Sequence, residues 1–367
     1  MRATPIIVML AALGCSAASA LHAAAPAPVS APTPAFVPPL DMAARATPYA
    51  AVSPLIAVAN AGRRLVAAGW RGHIVVSDDQ GRHWTQASVP VSVDLVALSF
   101  PTPAQGWAVG HGGVILHSGD GGRTWTRQAD GRSLGASTVR YYEALAAHGG
   151  DAIARTLEDA RTNARNGPEL PWLDVHFLNE REGYVVGAFN SIMKTEDGGK
   201  SWLPWMERVD NPKGYHLNAI TAVGQTLYIA AEQGTVFRLK QGGGRFEAID
   251  TGYRGSFFGI VGNGEVLLAY GLGGVAYRST DGGAHWQQVD TGVRAGINAG
   301  TVLPDRRIVR ATQDGKLLLA SADGARIAPL APPDSMVFAG VTPAAPGTVL
   351  AVGLRGSTVV PTGTAVR

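Results

Sequence analysis

Three carboxylates, Asp94, Asp174 and Glu232, are the candidates for acid–base chemistry in this chain. Hydrolysis of a neutral sugar takes two facing carboxylates. Asp94 and Asp174 each stand second in a short run, Val93–Val96 and Leu173–His176, and Leu217–Ile220 and Ile297–Gly300 repeat the form with Asn218 and Asn298. Aligned in this way, the four polar residues fall at one level around a common centre. Either they satisfy neighbouring backbone and water, or Asp94 and Asp174 form part of a ligand or hydrolase site. An acidic sugar would need an arginine triad and a Tyr nucleophile with a carboxylate beside it. Arg71, Arg254, Arg355 and Tyr215 are present, but no Tyr–Glu pairing is apparent and no Arg-Ile-Pro stretch occurs. No Cys/His cluster has metal-ligand spacing, so neither a metal nor another cofactor is expected.

The elements that position these residues are set by a repeat. Ser77–Trp84, Ser118–Trp125, Thr195–Trp202 and Ser279–Trp286 share the pattern [ST]-x-D-x-G-x-x-W, the Asp-box. Each is a strand–turn–strand signal. The hydroxyl residue and the Asp (Asp79, Asp120, Asp197, Asp281) bond turn amides, Gly supplies a positive φ, and Trp opens the next strand. These Asp residues are therefore structural.

Upstream of each box lies an apolar strand, a turn rich in Gly and a second apolar strand. The turn positions Gly69, Gly110, Gly187, Ala231, Gly271, Ala311 and Gly353 step by about 40 residues, the length of a four-stranded propeller blade, apart from one longer interval. The expected fold is all-β: a seven-bladed β-propeller of four-stranded Asp-box repeats with a helical hairpin inserted. The seventh copy stops at Val360 without a fourth strand, which a segment within Phe36–Val52 is placed to supply, closing the ring. The long interval holds a helix, a break at His148–Gly150 and a second helix capped by Asp151, over residues 137–166. This hairpin is either a solvated rim element or a lid or docking element.

Strand order separates two faces. With strands A to D alternating in direction, the boxes join C to D on one face. The B–C turns and the D-to-A links lie on the other. That second face receives Arg71, His111, Asn190, Gln233, Asp314 and Arg355 from the turns, and Lys213, Tyr215, His216, Arg254 and Arg294 from the links. Counted over these residues it is cationic, and a surface of one sign attracts acidic partners. Arg71, His111, His216, Arg254 and Arg355 are the expected partner-binding residues.

The chain opens with Arg2, an apolar run Ile6–Leu13 and an Ala18-Ser19-Ala20 cleavage site. Residues 1–20 are expected to be a secretory signal, 21–39 an Ala/Pro-rich linker and 40–367 the propeller. Cys15, the single cysteine, is either removed with the signal or lipidated as the first mature residue. Export to the periplasm follows, and no segment of the mature chain is apolar for long enough to cross a bilayer as a helix. Charged residues make up 16% of the chain and the net charge is +3, with no basic run, so nucleic acid is not an expected partner. A monomer is expected.

The chain resembles the photosystem II stability/assembly factor-like family of exported Asp-box propellers, in its non-photosynthetic branch. The resemblance rests on the boxes, the run Gly167–Val175, Val185–Ala188, Asp210-Asn211, His216–Ile220 and Gly255–Gly259. It implies a non-enzymatic scaffold that binds an envelope or membrane protein complex. In photosynthetic members that is photosystem II, engaged through an Arg-rich surface. In others it is an envelope complex, often with exporters of the resistance-nodulation-division type. The Arg surface carries over to Arg71, Arg254 and Arg355, and the helical insertion departs from the photosynthetic pattern. The alternative is a glycoside hydrolase using the channel mouth. Mass spectrometry of the exported protein is expected to find Leu21 or an acylated Cys15 at the mature N-terminus; an intact Met1 rules export out.

Overall fold

In the computed structural model, residues 36–167 and 169–363 are described, so the expected signal, its cleavage site, Cys15 and most of the linker lie outside them. The chain forms seven antiparallel sheets in order of sequence, six of four strands and one of three. The innermost strands are Leu55–Ala61, Leu95–Ser99, Trp172–Phe177, Leu217–Val223, Phe257–Gly262, Ile297–Val302 and Phe338–Ala345. This is the seven-bladed propeller that the repeat predicts. In the sixth blade Thr312, not Ala311, holds the place of Gly69 and Gly353, as pairing with Ile297 shows.

The core is not one cluster but a series of seams between blades. Val66, Ala68 and Ile74 of blade one meet Leu95, Ala108 and Leu116 of blade two. Trp107 of blade two stacks on Phe177 of blade three at 3.6 Å between ring centroids. Such burial stabilises by about 25 cal/mol for each Å² of apolar surface removed from water. Glycine is required where backbones approach most closely, within a blade and between blades. A Cβ on Gly69 would lie 2.1 Å from the carbonyl oxygen of Pro54, and one on Gly72, at φ +73°, 2.1 Å from that of Val91.

The ring does not close as expected. Blade seven has three strands, Phe338–Ala345, Thr348–Gly353 and Gly356–Pro361, and residues 36–53 add no fourth. They form two 3-10 turns, Pro39–Asp41 and Ala50–Val52, and act as a strap. The amides of Ala44 and Ser92 bond the carbonyls of Val89 and Pro39. Ala50, 2% exposed, packs with Leu55, Leu65, Leu350 and Val352 across the seam from blade seven to blade one. That seam buries its own apolar side chains, so a shared sheet is unnecessary.

The insertion comprises α1 (Gly131–Ala146) and α2 (Asp151–Arg165). Helix α1 starts earlier than expected, because Asp130 caps it, accepting from the amides of Arg132 and Ser133. Asp151 is not the cap of α2; Gly150 holds that position without a side-chain bond. The hairpin is anchored by Tyr142, fully buried, whose hydroxyl donates to Glu207 at 2.6 Å and accepts from the Met206 amide. Arg132 ties its start to Asp41 of the strap by two bonds of 2.8 Å. Ala50→Leu is expected to overpack the closing seam and lower stability by about 1–3 kcal/mol. Val52→Ser beside it, on an exposed side chain, is expected to change stability by about 0.5 kcal/mol or less. Denaturant midpoints measure both.

Candidate functional site

The four complete boxes repeat one geometry. The hydroxyls of Ser77, Ser118, Thr195 and Ser279 donate to Asp79, Asp120, Asp197 and Asp281 at 2.8–2.9 Å, and each accepts from the Gly amide four residues on. The same carboxylates accept from the amides of His83, Thr124, Ser201 and His285. The His83 and His285 amides and rings hold Asp79 and Asp281 well below the usual carboxylate range. In blade six the worn box keeps the bond from Ser321 to Asp323.

The opposite face holds the B–C turns, and four of them end in exposed apolar side chains: Trp70, Phe189, Leu272 and Leu354. Leu178 and Leu203 are the exposed large apolar residues on the box side. The turn position with φ near +60° is Gly112 in blade two and Gly273 in blade five, but Arg71 in blade one and Gln233 in blade four. A side chain there costs about 1 kcal/mol or more, and such strain clusters where a surface is used.

The expected partner residues all lie on this face, though they differ in freedom. Arg71 and His111 are exposed, and no side-chain bond engages either among the described residues. His216 lies edge-on to Phe189, with ring centroids 4.6 Å apart, and 3.3 Å from Glu232. Arg254 pairs with Asp250 at 2.9 Å, and Arg355 donates to the Ser335 carbonyl. The expected excess of positive charge is not present. Asp94, Glu207, Asp210, Glu232, Asp250, Asp290 and Asp334 share these turns and links and offset the cations.

The candidate acids are bound to backbone. Asp94 accepts from the Arg71 amide at 2.8 Å, and Glu232 from the His216 amide at 2.9 Å. Asp174 accepts from the amides of Val175 and Ile220, both at 2.8 Å, joining the inner strands of blades three and four. Nor do Asp94, Asp174, Asn218 and Asn298 share a level. A bulge starts each inner strand: Asp94 precedes the first paired residue, Asn218 and Asn298 are the bulged residues, and Asp174 follows the bulge. Asn218 and Asn298 bond the Phe257 and Phe338 carbonyls of the next blades.

A second concavity lies between the hairpin and blade three. Its volume is about 80 Å³ and its wall is mainly apolar, including Leu134, Ala160, Trp172, Ile192 and Met206. Among the described residues no group of three or more His, Cys, Asp or Glu could hold a metal.

Desolvation pushes the Asp174 carboxyl up to about 7, against the two amides that favour its charge. The native state thus keeps a proton that the unfolded chain releases near its ordinary value of 3.8, and stability from this site falls as pH rises between those values. Asp174→Asn removes the titration. The melting temperature of the variant is expected to gain on the native protein from pH 4.5 to 7.5, by the equivalent of about 1–2 kcal/mol after screening by axial water. Parallel melting curves for the two proteins refute this.

Residues 166–336 match the family model described as photosynthesis system II assembly factor YCF48. The photosystem II assembly lipoprotein Ycf48 of a Picosynechococcus strain is 28% identical over 153 residues, covering 37% of this chain and 35% of that protein. The photosystem II assembly protein Ycf48 of a Synechococcus strain is 30% identical over 142 residues, covering 36% and 42%. The matched part thus spans less than half the length of these curated relatives. Among solved structures, YCF48 bound to a D1 peptide superposes with a TM-score of 0.61 at 14% identity, covering 85% of this chain and 94% of that one. YCF48 from Cyanidioschyzon merolae gives 0.58 at 16%, covering 85% and 96%. The WD40 propeller of Doa1 gives 0.61 at 9%, covering 89% and 97%. At such identities the superpositions establish the fold, and over residues 166–336 the sequence is similar to the photosystem II assembly factor-like family.

Proposed function

We propose that the chain is a non-enzymatic assembly or accessory protein that binds a protein of an envelope complex through the face of its B–C turns. The observation that carries this reading is the set of exposed apolar tips, Trp70, Phe189, Leu272 and Leu354, on turns around one mouth of the ring. Exposed apolar side chains grouped on one face mark interaction surfaces, and aromatic and Arg side chains supply most binding energy at such surfaces. Arg71 follows Trp70, and Arg355 follows Leu354, so two of the four apolar tips carry a donor fork suited to a carboxylate. His111 and His216 extend the surface, and Arg254 joins it by exchanging Asp250 for a partner's acid. Helix α1 flanks the same face.

The relatives support a protein partner: a solved YCF48 holds a D1 peptide. Two of the curated relatives are named lipoproteins, which supports an exported protein acting in the periplasm. An exporter of the resistance-nodulation-division type is the complex to which the family resemblance points. Among the described residues no helix is long and apolar enough to cross a membrane.

The test is affinity capture from the envelope of the source organism, followed by titration of the captured complex. Trp70→Ala is expected to weaken binding roughly 30-fold, as at a hot spot. Arg71→Glu with Arg355→Glu is expected to weaken it further, with the melting temperature kept, and added salt to weaken the native interaction. Binding that survives all three changes places the partner elsewhere.

A further inference from the structure

Arg310 is fully buried, and none of its three guanidinium nitrogens has a hydrogen-bond partner among the described residues. A buried charge costs several kcal/mol unless it is paired, so a lone guanidinium here demands an acceptor. The fold does not require an Arg at this place. The residues in the same register of the other blades are Ala67, Ala108, Val185, Ile229, Ala269 and Ala351.

The surroundings are altered to match. Arg310 pairs with Gly300 of the inner strand on one side and Leu318 on the other. The residues in register with Gly300 elsewhere are all large, among them Leu98, Val175 and Ile260. With no side chain at Gly300, nothing of the inner strand separates Arg310 from the axis. Across the seam, Tyr270 of blade five stands where other blades have Ala or Val. Its ring fills the space over two glycines: a Cβ on Gly259 would lie 2.4 Å from the Tyr270 hydroxyl oxygen, and one on Gly300 3.0 Å from it. Tyr270 thus carries a hydroxyl to the axial edge of the seam that holds Arg310. Gly300 and Ala299 are half-exposed, so water reaches this edge along the axis.

We propose that the seam between blades five and six binds a small monovalent anion at the propeller axis, held by the Arg310 guanidinium with the Tyr270 hydroxyl as second donor. The chain supplies no counter-charge of its own, since no carboxylate forms an ion pair with Arg310 among the described residues. Desolvation lowers Arg310 only to about 10, which leaves it charged at neutral pH. It also keeps Tyr270 well above its usual range, as a protonated donor. Asp174, whose field reaches Tyr270, accepts from two amides and keeps its own proton below about pH 7. The Tyr270 ring already fills the space over Gly259 and Gly300, so the smallest anions, the halides, are the ligands that this edge favours. Larger oxyanions fit only if the ring moves.

The test uses the whole exported protein with chloride and bromide as probes. The melting temperature is expected to rise saturably with either halide, by a few degrees, at constant ionic strength maintained with a bulky sulfonate. Arg310→Met, which fills the seam with an apolar side chain, is expected to abolish the rise, and Tyr270→Phe to reduce it. Should the Met variant fail to fold, anomalous scattering from bromide-soaked crystals of the native protein decides, with a peak expected within hydrogen-bonding distance of Arg310. A halide response unchanged in Arg310→Met overturns the proposal. So does a map in which only water or the Asp174 carboxylate meets the guanidinium.

Discussion

The hydroxyl that opens each Asp-box is the group on which the propeller depends. By accepting from the Gly amide four residues on while donating to the Asp, Ser77, Ser118, Thr195 and Ser279 close a turn with both its hydrogen-bonding capacities in use. The closed turn presents carbonyl oxygens outward, and in blades two, three, five and six the preceding blade takes them. Arg64 of blade one bonds the Asp120 and Gly121 carbonyls, and Gln128 of blade two that of Gly198. Tyr228 and Arg238 of blade four bond that of Gly282, and Arg278 of blade five that of Asp323. A local turn thus becomes a clasp between blades. The apolar seams supply the stabilisation, and the clasps fix how each blade is set against the next.

This division explains why the other face is free to vary. The B–C turns meet the neighbouring link mainly through their backbone, as the Arg71 amide does on Asp94, the Asn190 amide on Tyr215 and the Gly234 amide on Gly255, with a glycine such as Gly72 allowing the approach to Val91. Their tips therefore tolerate Trp70, His111, Phe189, Leu272 and Leu354 on one backbone frame. The hairpin inserts here for the same reason. It replaces a link between blades two and three without touching a box, and its anchors, Tyr142 on Glu207 and Arg132 on Asp41, engage only links and the strap. Fold and recognition thus rest on separate sets of residues.

Much of the ring was legible because its periodic residues have a physical reason to recur: a hydroxyl, an Asp and a Gly at fixed offsets, and a Gly where strand B ends. What the sequence hides follows from geometry between repeats. The inner-strand bulge adds one residue without changing the apolar pattern, so Asp94, Asp174 and Asn218 align as text while lying at three levels. The B–C face lacks the expected positive character because the acids that offset its cations come from the ends of other segments, as Asp250 does for Arg254. The start of α1 was hidden by Gly131 and Gly135, poor helix formers that the Asp130 capping box overrides. Arg310 looks like any polar residue in an exposed strand position. Only the pairing with Gly300 shows that it lies inside.

The two faces and the axis also differ in what protons can do to them. The box carboxylates are held below their usual range by bonds to their charged form, so they stay ionised wherever the protein is folded near neutrality. The clasps between blades therefore do not respond to moderate acid. Along the axis the order of terms is reversed. Desolvation dominates, raising Asp174 to about 7 and lowering His176 to about 4, so these two groups are close to neutral together over the intervening range. Carboxylates of one residue type thus take opposite roles according to whether their partners or their burial dominate. The boxes are insensitive to pH near neutrality where the axis is not, although His73 and His117, lowered by burial on strands away from the axis, respond there as well.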